Sequence, residues 1–389
     1  MYSLEPFRKQ LAERKADHLL REIPPLTPEG PWVYREGIRL LNFASNDYLD
    51  LARHPSLAAG AAAAAAKWGT GSTGSRLLTG SLGIFAETEA KLAQWKQRPR
   101  ALYCNNGYAA NLGLVTALAD STTQLFFDRL NHASLYDGAR MSGAPLQRFR
   151  HNDPEDLERL LKAHPGKGWI FTESVFSMDG DLAPLRDYAQ LSRKYSVGLV
   201  VDEAHADGIF GPEGRGLVHA LGLENDVDVV MGTLGKALGC AGAAIWADPV
   251  LLDWLINNSR SFIYSTAQSP AVLGAVQNAL EILHLEPERR TLALQRGTEL
   301  RNILHSEGFD TLQSQSQIVP VVLGDNARAV SASQFLARQG YWVAPIRQPT
   351  VPAGTARLRI NVNPGHSFED LQNLVAALLK WRQSESHFL

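Results

Sequence analysis

Four residues of types that do chemistry close two apolar runs. The first run is Gly198-Leu199-Val200-Val201-Asp202, followed by Glu203-Ala204-His205-Ala206-Asp207-Gly208. The second is Val227-Asp228-Val229-Val230-Met231, followed by Gly232-Thr233-Leu234-Gly235-Lys236-Ala237-Leu238-Gly239. A short apolar run bounded by turn residues suits a strand buried on both faces of a parallel sheet. Such sheets bind ligands beyond the carboxyl ends of their strands. Asp202, His205, Thr233 and Lys236 are therefore expected on one rim. An acid, an imidazole, a hydroxyl and a glycine-flanked amine suit pyridoxal phosphate. The lysine forms a Schiff base with its aldehyde, and the carboxylate keeps the ring nitrogen protonated, so that the ring draws in electrons. Glycines around Lys236 let the backbone approach and the lysine swing. Each part alone has a plainer reading: a lysine between glycines is usually solvated, and an acid ending a strand is often a helix cap. Together, at the ends of two apolar strands, they favour the cofactor.

The elements that must position these groups follow from the same patterning. Alternating strand and helix from about 100 to 245 predicts a mostly parallel sheet. Strands are expected at 101–104, 123–127 and 169–173, the last followed by Ser177. Asn106-Gly107-Tyr108 opens a helix running to about Leu118, whose free N–H groups suit a phosphate; a bare glycine turn is the plainer reading. His132 lies just past a strand end, on the functional rim or simply hydrogen-bonded in a loop. Gly69-Thr70-Gly71-Ser72-Thr73-Gly74 spells G-x-G-x-x-G, but it follows the alanine-rich helix 55–68 rather than a strand. A dinucleotide fingerprint needs a strand before it. A flexible active-site loop ending in Ser75-Arg76 is expected instead, and helix 55–68 is expected to pack closely. Leu4, Phe7, Leu11, Leu19 and Leu20 predict an amphipathic helix over 4–22, packed on the body and ending near Arg21, a surface cation. A strand is expected at 37–43, and long helices at 270–284 and 287–306. Strand, helix and strand recur from 316 as a smaller α+β unit. The expected division is an N-terminal helix and arm (1–45), a large cofactor-binding domain (46–280) and a small α+β domain (281–389).

Asp202-Glu203-Ala204-His205 and the Gly232–Ala237 turn resemble the α-oxoamine synthases, fold-type I pyridoxal phosphate enzymes. So do Ser45-Asn46-Asp47-Tyr48-Leu49, Asn106-Gly107-Tyr108-Ala109-Ala110-Asn111, Phe176-Ser177-Met178-Asp179-Gly180-Asp181 and Arg357-Leu358-Arg359-Ile360. The resemblance covers nearly the whole chain. It implies a fold-type I α/β transferase with a large, mostly parallel sheet domain and a smaller α+β C-terminal domain. Within the family, it is most similar to the member that joins L-alanine to a pimeloyl thioester in biotin synthesis. The carrier, coenzyme A or acyl carrier protein, stays open. Siblings that use glycine or serine, such as glycine C-acetyltransferase, and an aminotransferase remain alternatives. The Asp202-x-x-His205 pair and an acyl-chain loop near Thr350 favour the synthase.

The resemblance also assigns roles. Lys236 holds the cofactor and abstracts the α-proton, Asp202 keeps the ring nitrogen protonated, His132 stacks on the ring and His205 bonds its phenolic oxygen. Gly107, Tyr108 and Thr233 hold the phosphate, Ser177 sits near the ring, and Arg359 pairs the amino-acid carboxylate in a bidentate fork. Arg21 reaches the acyl substrate, and Asn46 belongs to the substrate side. Ser75 stands where glycine-specific relatives carry a threonine, leaving room for an alanine methyl. Thr266 reaches the neighbouring subunit's phosphate in a homodimer with shared active sites. One departure is Phe85, where relatives commonly have a histidine.

The bulk numbers agree with a small-molecule enzyme. The chain has 389 residues, 45% hydrophobic and 20% charged, enough for a large core. A formal net charge of -2 gives no footprint for nucleic acid or an anionic membrane. Cys104 and Cys240, the two cysteines, form no CxxC pair, which fits a reducing cytoplasm rather than a disulfide framework. No apolar run suggests a signal peptide or a membrane span. The letters D-E-A-H also occur in helicases, but those need G-x-x-x-x-G-K-[ST], and neither Lys167 nor Lys236 is followed by Ser or Thr. Neither G-x-S-x-G nor HExxH occurs, so a serine hydrolase and a zinc protease are set aside, and no metal is expected.

Overall fold

The computed structural model describes residues 2–386. In chain order it begins with α1 (Glu5–Ala16), β1 (Thr27–Glu29), β2 (Trp32–Arg35) and β3 (Ile38–Asn42). Next come α2 (Pro55–Trp68), α3 (Gly83–Lys96), β4 (Arg100–Cys104), α4 (Gly107–Leu118), β5 (Gln124–Asp128), α5 (Ala133–Ser142) and β6 (Leu146–Phe149). The middle continues with α6 (Pro154–Ala163), β7 (Gly168–Glu173), α7 (Leu185–Tyr195), β8 (Gly198–Asp202), α8 (Leu217–Ala220), β9 (Val229–Thr233) and β10 (Ala243–Ala247). Helices α9 (Pro249–Asn258), α10 (Arg260–Ile263), α11 (Pro270–Leu285) and α12 (Glu288–Ser306) follow. The chain closes with β11 (Ile318–Gly324), α13 (Asn326–Arg338), β12 (Tyr341–Trp342), β13 (Ala344–Ile346), β14 (Ala356–Asn361) and α14 (Phe368–Ser386). Among the described residues, no helix is long and apolar enough to cross a membrane.

The chain forms two compact units. One comprises 47–177 and 182–291; the other comprises, of the described residues, 2–46, 178–181 and 292–386. The larger unit is built on a seven-stranded sheet, ordered β4-β10-β9-β8-β7-β5-β6. Strands β9, β8, β7, β5 and β6 run parallel, while β10 is antiparallel to both β4 and β9. The sequence reading did not mark Ala243–Ala247 as a strand. Its Ala243-Ala244-Ile245-Trp246-Ala247 is buried throughout, but three of the five residues are alanine, which is depleted in strands and gives a weak signal. The second chemistry-bearing strand starts at Val229 rather than Val227, and Thr233 is its last residue. Helices α4 and α5 contact one another, and α4 also packs on β9 and β10. Helices α2 and α11 cross so closely that a Cβ at Gly60 would lie 2.5 Å from the Gly274 carbonyl oxygen. The alanines of α2 permit this approach, and the close packing expected of that helix is present.

The smaller unit holds a β1-β2-β3-β12 sheet and a β11-β14-β13 sheet. The arm expected over 1–45 joins the C-terminal residues, because β3 pairs in parallel with β12 through Leu41–Tyr341 and Asn42–Trp342. Helix α1 departs from expectation. It ends at Ala16 and none of its residues is buried. His18 takes a left-handed φ of 57°, so Leu19 and Leu20 cannot extend the apolar stripe of Phe7 and Leu11.

Candidate functional site

The larger unit gathers most of the expected cofactor residues at the carboxyl ends of β7, β8 and β9. Asp202 ends β8 and is buried. One of its oxygens accepts the Asn111 side-chain N–H at 2.8 Å, and the other accepts the Ala204 backbone N–H at 2.9 Å. That second bond caps the turn carrying His205. The His205 Nε2 lies 2.8 Å from Lys236 Nζ, and its Nδ1 lies 2.7 Å from the Tyr48 hydroxyl. The half-buried lysine is thus tied to a buried imidazole, which is tied to a buried tyrosine.

The N-terminus of α4 closes another side. Asn106 caps it, accepting the Ala109 N–H at 2.8 Å. Gly107 meets the end of β9 so tightly that a Cβ there would lie 2.5 Å from Thr233 Cγ2. Only glycine lets the helix N-terminus approach the Thr233 side chain so closely. The Tyr108 and His132 rings meet edge-on, with centroids 6.4 Å apart. His132 caps α5 through its Nδ1, which accepts the Ser134 N–H at 3.3 Å. Its ring stays partly open to solvent, yet surrounding protein desolvates it and lowers its pKa, against the pull of the Asp202 carboxylate.

Glu173 ends β7 and pairs in register with Asp202. It is buried, and burial first, then the Asp202 charge, push its pKa well above the usual carboxylate range. Ser177 follows four residues later and is half-buried. The Gly69–Gly74 stretch opens no helix. It leads to Ser75, which forms an isolated antiparallel bridge with the exposed Thr266. The Asn105 side chain donates to the Thr266 carbonyl at 2.6 Å, linking this bridge to the start of α4. Next door, the Arg76 guanidinium binds Glu89 at 2.8 and 3.2 Å and lies 4.1 Å from the ring centroid of buried Phe85. Phe85 therefore serves as a platform for that arginine.

The smaller unit carries the other four. Arg359 lies on β14, buried, and donates to the Asn46 side-chain oxygen at 2.9 Å. Arg21 and Thr350 are exposed. Arg21 stands near enough to Arg347 for its charge to help lower the Arg347 pKa, after burial.

Residues 38–378 match the family described as Aminotransferase class I and II. The chain belongs to the aminotransferase class I and II family. A protein of Chromohalobacter salexigens called 8-amino-7-oxononanoate synthase is 42% identical over 388 residues, covering 98% of both chains. Among solved structures, a serine palmitoyltransferase from S. paucimobilis with bound pyridoxal phosphate superposes with a TM-score of 0.93 at 29% identity, covering 99% of both chains. The 8-amino-7-oxononanoate synthase of Francisella tularensis superposes with a TM-score of 0.78 at 26% identity, covering 90% of this chain and 99% of that one.

This member of the class I and II family has the fold-type I architecture, and its cofactor is pyridoxal phosphate. Its own residues fit that group. The Gly107 cradle would be filled by any side chain, and the donor set pairs an amine with a strand-end carboxylate. The side-chain oxygen of Asn111 and one oxygen of Glu173 are buried without a hydrogen-bond partner within the protein. Sequence reasoning assigned no role to Tyr48, Asn111 or Glu173. Glu173 carries the same signal as Asp202, an acid closing an apolar strand. Tyr48 and Asn111 sat inside quoted motifs, but only the fold brings them to His205 and Asp202.

Proposed function

We propose that this chain is an 8-amino-7-oxononanoate synthase, which condenses L-alanine with a pimeloyl thioester. The supporting observation is the Tyr48–His205–Lys236 chain beside Asp202, at 2.7 and 2.8 Å, in a protein 42% identical to a synthase of that name. Bound pyridoxal phosphate supplies an aldehyde for the lysine and a ring that spreads negative charge from the amino-acid α-carbon. Lys236 takes the α-proton of alanine at Nζ, and the imidazole of His205 steadies that amine. Asp202 would hold a proton on the ring nitrogen, with Asn111 fixing the carboxylate's orientation at 2.8 Å. His132 would offer a ring face, Gly107, Tyr108 and Thr233 would bind the phosphate, and Ser177 would border the ring. Arg359, oriented by Asn46, pairs the alanine carboxylate, and Arg21 and Thr350 serve the acyl chain. The α-carbon attacks the thioester carbonyl and the carbon–sulfur bond breaks, releasing the thiol. The resulting β-keto acid loses carbon dioxide, and a proton returns to the α-carbon.

The enzyme works as a homodimer in which Thr266 serves the neighbouring site, in the cytoplasm and without a metal. The exposed Thr266 and the wholly unburied α1 support a partner copy. A serine-using sibling is the second reading, favoured by the TM-score of 0.93, but that likeness carries only 29% identity. The deciding experiment offers the purified protein L-alanine, glycine or L-serine with pimeloyl-CoA or pimeloyl acyl carrier protein, and reads products by mass spectrometry. 8-Amino-7-oxononanoate from alanine is expected. Turnover of serine or glycine alone would replace the assignment.

A further inference from the structure

Beneath the cofactor turn lies a buried ionic cluster that the chemistry above does not use. Lys96, the last residue of α3, is 3% exposed. Its Nζ donates to Glu203 Oε2 at 2.8 Å and also bonds Asp207 Oδ1. Both carboxylates are buried. Glu203 Oε1 accepts the Val218 backbone N–H at 2.8 Å. The ammonium also lies 5.2 and 4.9 Å from the ring centroids of Trp95 and Trp246, where cation–π attraction adds to its hold.

Space has been kept for this cluster. A Cβ at Gly216 would stand 2.2 Å from Glu203 Oε2, and one at Gly232 would stand 1.8 Å from Asp207 Oδ2. Glu203 and Asp207 are four residues apart on one helical turn, closed by the Asp207 N–H to the Glu203 carbonyl at 2.9 Å. His205 sits between them, and Asp202 immediately precedes them. The lysine therefore grips both ends of the segment whose middle residue contacts Lys236.

A buried ion pair is weak evidence of stabilisation, because desolvation offsets much of the attraction. Its better attested use is to fix one geometry. Burial pushes Asp207 up to about 7, against the pull of Lys96.

We propose that Lys96 is a positioning residue: by clamping Glu203 and Asp207 it sets the orientation of His205 and Asp202 toward the cofactor. This rests on the cofactor reading above. The test compares the holoenzyme with Lys96→Met and with Asp207→Asn, which keeps side-chain shape. Three quantities are read: visible-range circular dichroism of the bound cofactor, cofactor affinity from tryptophan fluorescence of the apo form, and kcat and KM for alanine. A small misplacement at a reacting centre costs roughly 10²-fold in rate. Both variants should lose roughly 10- to 100-fold in kcat with KM little changed. Their cofactor dichroism should change and their cofactor affinity should fall several-fold. If Lys96→Met does not fold, Asp207→Asn decides alone. Wild-type dichroism and kcat alongside a lowered melting temperature would overturn the proposal and leave the synthase reading standing. A wild type that takes up no cofactor on Lys236 would overturn that reading, and the proposal with it.

Discussion

Asp202 and Glu173 end neighbouring parallel strands in register, and Asp202 accepts a side-chain and a backbone N–H at 2.8 and 2.9 Å. Burial and the Asp202 charge hold the Glu173 carboxyl well above its usual range. Asp202→Asn should retain the cofactor but lose most turnover, because an amide cannot hold a proton on the ring nitrogen. Alanine α-proton exchange at the wild-type rate would refute that role. Ser75 belongs at the same scale. One methyl in a pocket discriminates by about 1–3 kcal/mol. Ser75→Thr should therefore lower kcat/KM for alanine by roughly ten-fold while sparing glycine. Equal losses for both amino acids would remove Ser75 from the specificity pocket.

At the scale of elements, α4 presents its first N–H groups because Gly107 tolerates the 2.5 Å approach that any Cβ would make to Thr233. Gly107→Ala must push β9 and α4 apart, at a cost of about 1–3 kcal/mol by analogy with overpacked cores. Phosphate and cofactor affinity should fall together, as measured by equilibrium dialysis. Unaltered affinity would show that the helix terminus is not the phosphate cradle. His366 follows β14 and is 1% exposed, stacked on Phe43 with centroids 4.1 Å apart. Its Nδ1 accepts the Asn363 N–H at 3.1 Å, so a second ring proton has no acceptor there. Burial lowers its pKa from 6.5 to about 4. The group is neutral and stabilising above 6.5, and its contribution is lost as pH falls toward 4. The loss is about 3 kcal/mol over that window. Denaturant unfolding of wild type against His366→Gln should show a shallower acid slope for the variant; parallel slopes would place the titration elsewhere.

For the whole molecule, the proposed homodimer explains how Thr266, exposed and bridged to Ser75, could serve a site other than its own. A two-fold dimer is the commonest oligomer. Mixing inactive Lys236→Ala and Thr266→Ala chains should restore part of the activity, since one site of each mixed dimer combines two intact contributions. A monomer in sedimentation, or no recovery on mixing, would end the shared-site account.

Periodicity and strand-end chemistry determined much of this protein from sequence. Apolar runs closed by Asp202 and by the Lys236 turn placed both groups at the carboxyl-end rim of the sheet, because a buried parallel strand can expose a polar side chain only at its end. Helix 55–68 was legible for the same local reason, its composition matching a close crossing. Other features needed the tertiary structure. The antiparallel β10 is mostly alanine, a weak strand signal, and α1 ends two residues before a left-handed His18 that breaks the stripe. The contacts of Lys96 with Glu203 and Asp207 span 107 and 111 residues, and that of Asn111 with Asp202 spans 91. No local pattern encodes such pairs. They exist because the fold closes around them, where an unpaired buried charge would be costly.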